Sequence, residues 1–435
     1  MQSDYVIVGG GAGGLELACK LGRKLGRSKV TLVDSRLYHI WKPSLHEVAA
    51  GTLDIHQEGL SYQMLAHDNG FSFVYGAMTA LDSDARSLTI GAIQDTAGAE
   101  VLPQRELSYG SLVLAVGSTS NYFGVPGARE NTISLNGTED AERFRLTLLR
   151  LMARVESQMH EAPVGAHEGI DIVIIGGGAT GVELSAELRE ASAVYTSYGF
   201  RTIDARRDVR ITLLEGADRI LAPLPDRVSG AALRLLNQRA IRVVTGCRVT
   251  KIAPDHIEDA QGNLYRSNLC VWAAGIRAPE FLSTLGLPTS RGGQVEVDTH
   301  LAVKGVANVY ALGDCAACID GNGKPVPPRA QAAHQQADHL LKRFVAEAKG
   351  KTLPAAPYRY RDYGSLVSIG SATTVGNLMG SLKGLSWFVE GFVARVMYKS
   401  LHMMHDQAVL GSLRTGVLTV ARYLIRRSTP LVKLH

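Results

Sequence analysis

The sequence predicts an α/β fold made of two Rossmann-like units followed by a helical C-terminal segment, and three observations carry that expectation. An apolar strand, a glycine-rich turn and an amphipathic helix follow one another twice, from Tyr5 and again from Ile172. A strand ending in glycine recurs at the matching place in each half, as Leu112–Ser118 and Cys270–Gly275. Residues 386–435 show no such unit, but carry apolar and basic positions at helical period.

The first unit opens with the strand Tyr5–Val8, the turn Gly9-Gly10-Gly11-Ala12-Gly13-Gly14 and a helical stretch from Leu15 to Leu25. Gly9 permits the tight turn, Gly11 lets backbone approach a pyrophosphate, and Gly14 lets the helix pack close to the strand. The next strand, Val30–Val33, ends in Asp34, 20 residues past Gly14, where a carboxylate accepts hydrogen bonds from ribose hydroxyls. With strand, helix and acid in register, this is a dinucleotide site rather than a merely glycine-rich turn.

The second unit repeats the pattern with Ile172–Ile175, then Gly176, Gly178 and Gly181, and a strand Val209–Leu214 ending in Glu215. The gap from Gly181 to Glu215 is longer, and Ser192–Arg207 reads as an insertion. A carboxylate at position 215 accepts the 2′-hydroxyl of NADH and repels the 2′-phosphate of NADPH, although Arg219 softens that repulsion. The segment Val309–Asp314 decides which turn holds flavin. In two-dinucleotide flavoproteins a strand of this kind returns to the first unit, and its acid, here Asp314 after Gly313, binds the ribityl or pyrophosphate region. The expected division is therefore an FAD unit of residues 1–136 and 295–385, with an NADH unit of 137–294 inserted into it.

Bulk properties narrow the remaining classes. A length of 435 residues implies more than one core, and 46% hydrophobic with 20% charged residues is globular composition. Five scattered cysteines make no disulfide framework. A basic leader with an apolar core is not seen at the N-terminus, and no apolar run reaches the roughly 18 residues of a spanning helix. The net charge of +5 is concentrated in the tail: from Lys383 on, eight Lys/Arg (Lys383, Arg395, Lys399, Arg414, Arg422, Arg426, Arg427, Lys433) face only Glu390 and Asp406. Those basic residues are not interleaved with stacking aromatics, which argues against nucleic acid.

Specific motifs then resemble one family, the type II NADH:quinone oxidoreductases, which are single-subunit, non-proton-pumping NADH dehydrogenases. They are GGGAGGLE near the N-terminus, Trp41–Gly51 (WKPSLHEVAAG), Gly176–Leu188 (GGGATGVELSAEL) and Val271–Leu282 (VWAAGIRAPEFL). Ala311–Cys318 (ALGDCAAC), Pro327–Ala337 (PPRAQAAHQQA), Tyr363–Gly370 (YGSLVSIG) and the terminal LVKLH continue the match. The resemblance implies hydride transfer from NADH to FAD and then two electrons to a membrane quinone.

Residue by residue, it implies a quinone site at Gln331 and Gln335, which are i and i+4 on one helix face. Pro327-Pro328 would open that helix in its first turn, aiming its positive N-terminus at the flavin beside Ala330. It also implies a carboxylate, Glu183, tuning charge where nicotinamide meets flavin; the plainer reading is a first-turn acid favoured by the helix dipole. Lys42 becomes a charge partner of the flavin, and Gly275 part of the NADH pocket. Gln pairs on helices are usually just solvated, and Glu16 stands where Glu183 does in the first fingerprint. The only Cys-x-x-Cys, Cys315 and Cys318, falls near the FAD phosphates and reads as core; no metal site is expected.

The tail is expected to form helices over Phe388–His405 and Val409–Arg427. Arg395, Lys399, His402 and Asp406 make one polar stripe in the first. In the second, Leu410, Leu413, Val417, Ala421 and Leu424 lie on one face, and Thr415, Thr419, Arg422 and Arg426 on another. Such faces suit helices lying on an anionic lipid bilayer, each basic residue adding about 1 kcal/mol. The expected place is the cytoplasmic face of a bacterial inner membrane, as a peripheral, monotopic protein; a homodimer is compatible with this. A contending reading is a soluble NAD(P)H-dependent reductase of a protein electron carrier.

Overall fold

The computed structural model describes residues 1–161, 169–370, 374–379, 386–428 and 432–433. The chain begins with β1 (Gln2–Val8), α1 (Ala12–Leu25), β2 (Val30–Asp34) and α2 (Leu45–Ala50), and continues through β3 (Ser72–Tyr75) and β4 (Arg105–Leu114). Then come β5 (Ile133–Ser134), α3 (Thr138–Glu161), β6 (Ile170–Ile175), α4 (Ala179–Tyr198), β7 (Val209–Leu214), β8 (Ile241–Val244) and β9 (Leu269–Trp272). The last elements used below are β10 (Val309–Ala311), α5 (Ala330–Ala348), α6 (Phe392–Leu410) and α7 (Ser412–Ser428).

Both expected sheets form. In the first, β3, β2, β1 and β4 lie side by side in parallel, and β10 returns from far along the chain to pair parallel with β4. Two antiparallel strands, Met78–Asp82 and Ser87–Ile90, extend its edge. The second sheet is wholly parallel in the order β5, β9, β6, β7, β8. Near-continuous apolar sequences such as Ile172–Ile175 suit strands covered on both faces. β5 lies before residue 137 but pairs with β9 of the second sheet. The segments after Gly117 and Gly275 pair with each other, Thr119–Ser120 against Ile276–Arg277, so the chain crosses between units on one two-stranded ribbon.

Each unit has its own core. Val6, Ile7, Leu15, Leu17, Leu32, Val113 and Phe344 are fully buried in the first, each worth about 1.5–3 kcal/mol of burial. The second core gathers Phe144, Leu148, Ile172, Val182 and Leu213, and takes in Leu45, Val48 and Ala49 from α2. Thus α2, early in sequence, packs against α3 and α4.

Three expectations on local structure are corrected. Pro327 and Pro328 precede α5 rather than forming its first turn; Arg329 is its extended N-cap. α4 runs on to Tyr198, so much of the supposed insertion is helix. Phe388 lies in a strand, Ser386–Glu390, of a three-stranded antiparallel sheet with Gly364–Ser368 and Thr374–Met379. The run Trp387-Phe388-Val389 has the aromatic and β-branched character of a strand, and Gly391, at φ +80°, ends it before α6.

Candidate functional site

The two glycine turns have nearly the same geometry. Gly9 and Gly176 take φ of +105° and +113°, which only glycine adopts readily. A Cβ on Gly14 would strike the carbonyl oxygen of Gly9, and one on Gly181 that of Gly176, so each third glycine is required by close helix packing. Gly11 and Gly178, by contrast, face open space. Each is the N-cap of its helix, with no side-chain cap and no acid in the first turn. The first N–H groups are thus left to an anion. Asp34 Oδ2 accepts from Gly10 N at 2.6 Å, and Glu215 Oε2 from Gly177 N at 2.5 Å. Their second oxygens accept from Arg36 N at 2.8 Å and Ala217 N at 2.7 Å. These residues fit a dinucleotide at both turns.

Gly313 and Asp314 follow β10 in a short 3₁₀ turn beside the first fingerprint. Gly313 N donates to Gln336 Oε1 at 2.7 Å, Ser118 Oγ donates to Asp314 Oδ2 at 2.7 Å, and Lys42 Nζ donates to the Ser118 carbonyl at 2.8 Å. Lys42, Ser118 and Asp314 therefore meet, and Gln336, on α5, ties that helix to the Gly-Asp turn. Ser118 and Gln336 were not singled out from sequence, though both lie in or beside quoted motifs. Gly275 takes φ +68°, and a Cβ there would run into the ring of Phe123, a residue itself at φ +50°.

Glu183 lies in the second turn of α4, not the first, so the dipole no longer accounts for it. It is buried, accepts from Ser368 N at 3.0 Å, and lies 3.8 Å from Nδ1 of buried His46 on α2. Burial raises the Glu183 carboxyl, against the pull of His46. Burial also works against a charge on His46, but Glu183, Glu47 and Glu187 outweigh it and hold the imidazole above its ordinary value. The pair keeps a proton in a carboxylate-rich pocket. His46 lies in the quoted WKPSLHEVAAG motif, yet nothing in its spacing points to a residue 137 positions on. Glu16, in the matching place on α1, bonds Lys20 and His334 instead.

Gln331 and Gln335 share one face of α5, and both amides hold the backbone of 361–364. Gln331 Nε2 donates to the Gly364 carbonyl at 3.2 Å, and its Oε1 accepts from Tyr363 N at 3.2 Å. Gln335 Nε2 donates to the Arg361 carbonyl at 2.8 Å, and its Oε1 accepts from Arg361 N at 2.9 Å. Ala330 is the first residue of the helix. A cleft beside Gln331, lined by Arg329, Asp362, Gly364 and Ser365, is closed from the second unit by Arg219 and Pro225.

All five cysteines are buried and free. Burial pushes the Cys315 and Cys318 thiols up to about 11, which suits core positions rather than a redox pair. The sequence offered no metal-binding spacing, but the fold brings Glu16, His334 and His405 together from three distant helices.

α7 has an inverted arrangement. Leu413, Val417, Val420 and Leu424 are 60–83% exposed, whereas Thr415 is buried. Arg422 turns inward to Glu58 at 2.6 Å and to Asp406 at 2.5 Å. Arg414 pairs with Asp68, and Lys433 with Asp54 at 3.1 Å and Glu142 at 3.3 Å. Three of the eight tail cations are therefore neutralised against the protein. Lys383 and the side chains of Arg395, Lys399, Arg426 and Arg427 lie outside the described residues, as do Leu431, Leu434 and His435 of the terminal motif. Among the described residues no helix is long and apolar enough to cross a membrane.

Comparison with known proteins agrees with this geometry. The family model of the pyridine nucleotide-disulphide oxidoreductases matches residues 3–337. A type II NADH:quinone oxidoreductase of Haemophilus influenzae is 37% identical, covering 100% of both chains. One from Mycobacterium tuberculosis is 26% identical over 97% of this chain and 87% of its own. The solved structure of NDH2 from Plasmodium falciparum in complex with NADH superposes with a TM-score of 0.81 at 18% identity, covering 100% of both chains.

Proposed function

Because the chain belongs to the type II NADH:quinone oxidoreductases, we propose that its first glycine turn holds FAD, its second NADH, and the region of Gln331 and Gln335 the quinone. The protein is an oxidoreductase that carries electrons from NADH to quinone without pumping protons. The observation that supports the assignment of sites is the difference between two otherwise matching turns. Among the described residues only the first receives a returning strand, β10, with Asp314 and the N-terminal part of α5 beside it.

A bound flavin supplies the two-electron relay between the substrates. The protein's part is positioning and electrostatics. Asp34 and Glu215 are held by two backbone N–H groups each, which fixes their free lone pairs for ribose hydroxyls. Lys42 and the N-terminus of α5 put positive potential beside the Asp314 turn, which would favour negative charge on a flavin held there. Glu183, paired with His46, places a proton-holding group near the second turn. The glutamine amides, neutral and already aligned, offer hydrogen bonds to quinone carbonyls if the 361–364 segment yields them.

The exposed apolar face of α7 supports a peripheral position on an anionic lipid surface, at the cytoplasmic face of a bacterial inner membrane. A long-tailed quinone is dissolved there, and a helix with its polar side turned inward has little other reason to be stable in water. The test is spectroscopic. Protein purified with its flavin should lose flavin absorbance on adding NADH and regain it on adding quinone, and the extracted flavin should chromatograph as FAD. Reduction by NADH that quinone does not reverse would sink the reading.

A further inference from the structure

We propose that Glu16, His334 and His405 form a binding site for a divalent cation of zinc's class. The three residues come from α1, α5 and α6, and each offers one ligand atom within 4.8 Å of the others. Two imidazoles and a carboxylate make a nitrogen–oxygen set suited to zinc.

The hydrogen bonds around His405 fix which of its nitrogens is free. His39 Nδ1 lies 2.9 Å from the Gly10 carbonyl, which can only accept, so Nδ1 carries the proton. The other nitrogen of that ring, Nε2, faces His405. His405 Nε2 lies 2.9 Å from that nitrogen, and the two rings share one hydrogen bond there. With Nε2 engaged, Nδ1 is the nitrogen that His405 has left to offer. This atom is buried and has no hydrogen-bond partner among the described residues, in a residue only 1% exposed. A buried polar nitrogen without a partner is costly, and a cation bound there would remove that cost.

The other two ligands contact each other. Glu16 is buried, and its two oxygens are divided: Oε1 contacts Lys20, while Oε2 faces His334 Nδ1. A cation taking Oε2 would leave the Lys20 contact in place and set the ligand atoms about 3.3 Å apart, as bonds near 2.0–2.1 Å require. His334 offers its Nδ1 from the second turn of α5. Its side chain is 25% exposed and supplies an entry path. Trp41 packs its ring on His405, His334 and His402 at 4.4, 5.8 and 6.2 Å, fixing the imidazoles. The chain from His405 through His39 to Gly10 is the outer support that histidine ligands ordinarily have. Occupancy would fasten α6 to the helix that opens the first fingerprint.

The test uses full-length, flavin-loaded protein freed of metals with a chelator and titrated with zinc chloride against a chromophoric competitor. One equivalent should bind. His405→Ala, and separately Glu16→Gln, should weaken it by more than about a hundredfold, the upper end of what loss of an outer partner costs, while Cys315→Ser/Cys318→Ser should not. X-ray absorption at one equivalent should show nitrogen and oxygen near 2.0 Å and no sulfur near 2.3 Å. Absence of one-equivalent binding, unchanged affinity in both ligand variants, or a sulfur shell overturns the proposal. Should His405→Ala fail to fold, the isosteric Glu16→Gln decides alone.

Discussion

The carboxylate of Glu183 lies 3.8 Å from Nδ1 of His46, and both side chains are closed off from solvent. The two belong to helices that the sequence separates by more than a hundred residues, and α2 meets α4 because its apolar face completes the second core. Removing one partner strands the other. His46→Ala should therefore cost about 3 kcal/mol of stability, measured by urea unfolding.

The same pair sets a pH dependence. Both groups hold their proton more tightly folded than their ordinary values of 4.5 and 6.5. The folded state thus binds more protons, and stability must fall as pH rises. The contribution is complete below those ordinary values and is lost as pH climbs through the raised ones. Glu183→Gln should flatten the decline in urea midpoint across that range; a slope equal to the parent's would contradict the assignment.

The glycines divide into two experimental classes. A Cβ on Gly14 has no room, so Gly14→Ala should prevent stable folding of the first unit. Gly11→Val and Gly178→Val meet only open space in the protein. Both should fold, at a cost of about 1 kcal/mol for the lost glycine N-cap, the first with reduced flavin content and the second with full flavin and a raised KM for NADH. Normal flavin content in Gly11→Val would refute the assignment of that turn.

Glu215 is the next target. Glu215→Gln keeps an oxygen for the Gly177 or Ala217 N–H and removes the charge. The kcat/KM ratio of NADH to NADPH should fall by about tenfold or more, the scale of one charged hydrogen bond. An unchanged ratio would take the discriminating role away from this residue.

Vesicle binding tests α7. Leu413 and Val417 are 83% and 62% exposed, so changing both to Glu should alter folding stability by less than about 1 kcal/mol. Co-sedimentation with anionic vesicles should drop sharply, and turnover with a water-soluble quinone should stay the same. Binding equal to that of the parent protein would remove the lipid reading.

Local pattern made the two sheets, both turns and their acids visible, because a strand, a tight glycine turn and a carboxylate at a fixed offset are consecutive in the chain. Even the return of β10 was readable from the Gly-Asp ending. His46, Ser118 and Gln336 were not, since each acquires its role through a partner that tertiary packing delivers. Phe388 misled for a different reason: a few apolar residues fit helix and strand alike until a pairing partner, here Thr374–Met379, decides. The charge of the tail is plain from composition, but only tertiary packing shows that Arg414, Arg422 and Lys433 spend theirs on Asp68, Asp406, Glu58, Asp54 and Glu142.

Those ion pairs bear on how far a substrate must travel. Arg414 and Arg422 fasten α7 to Asp68 and Glu58, on short helices of the first unit. The apolar plate is thus bolted to the body rather than hung from a tether. If the plate rests on lipid, the height of the glutamine helix above the bilayer is a constant of the fold. The depth to which a quinone headgroup must rise is then set by side-chain pairing on the far side of α7, and loosening those pairs would let the enzyme tilt on its own footing.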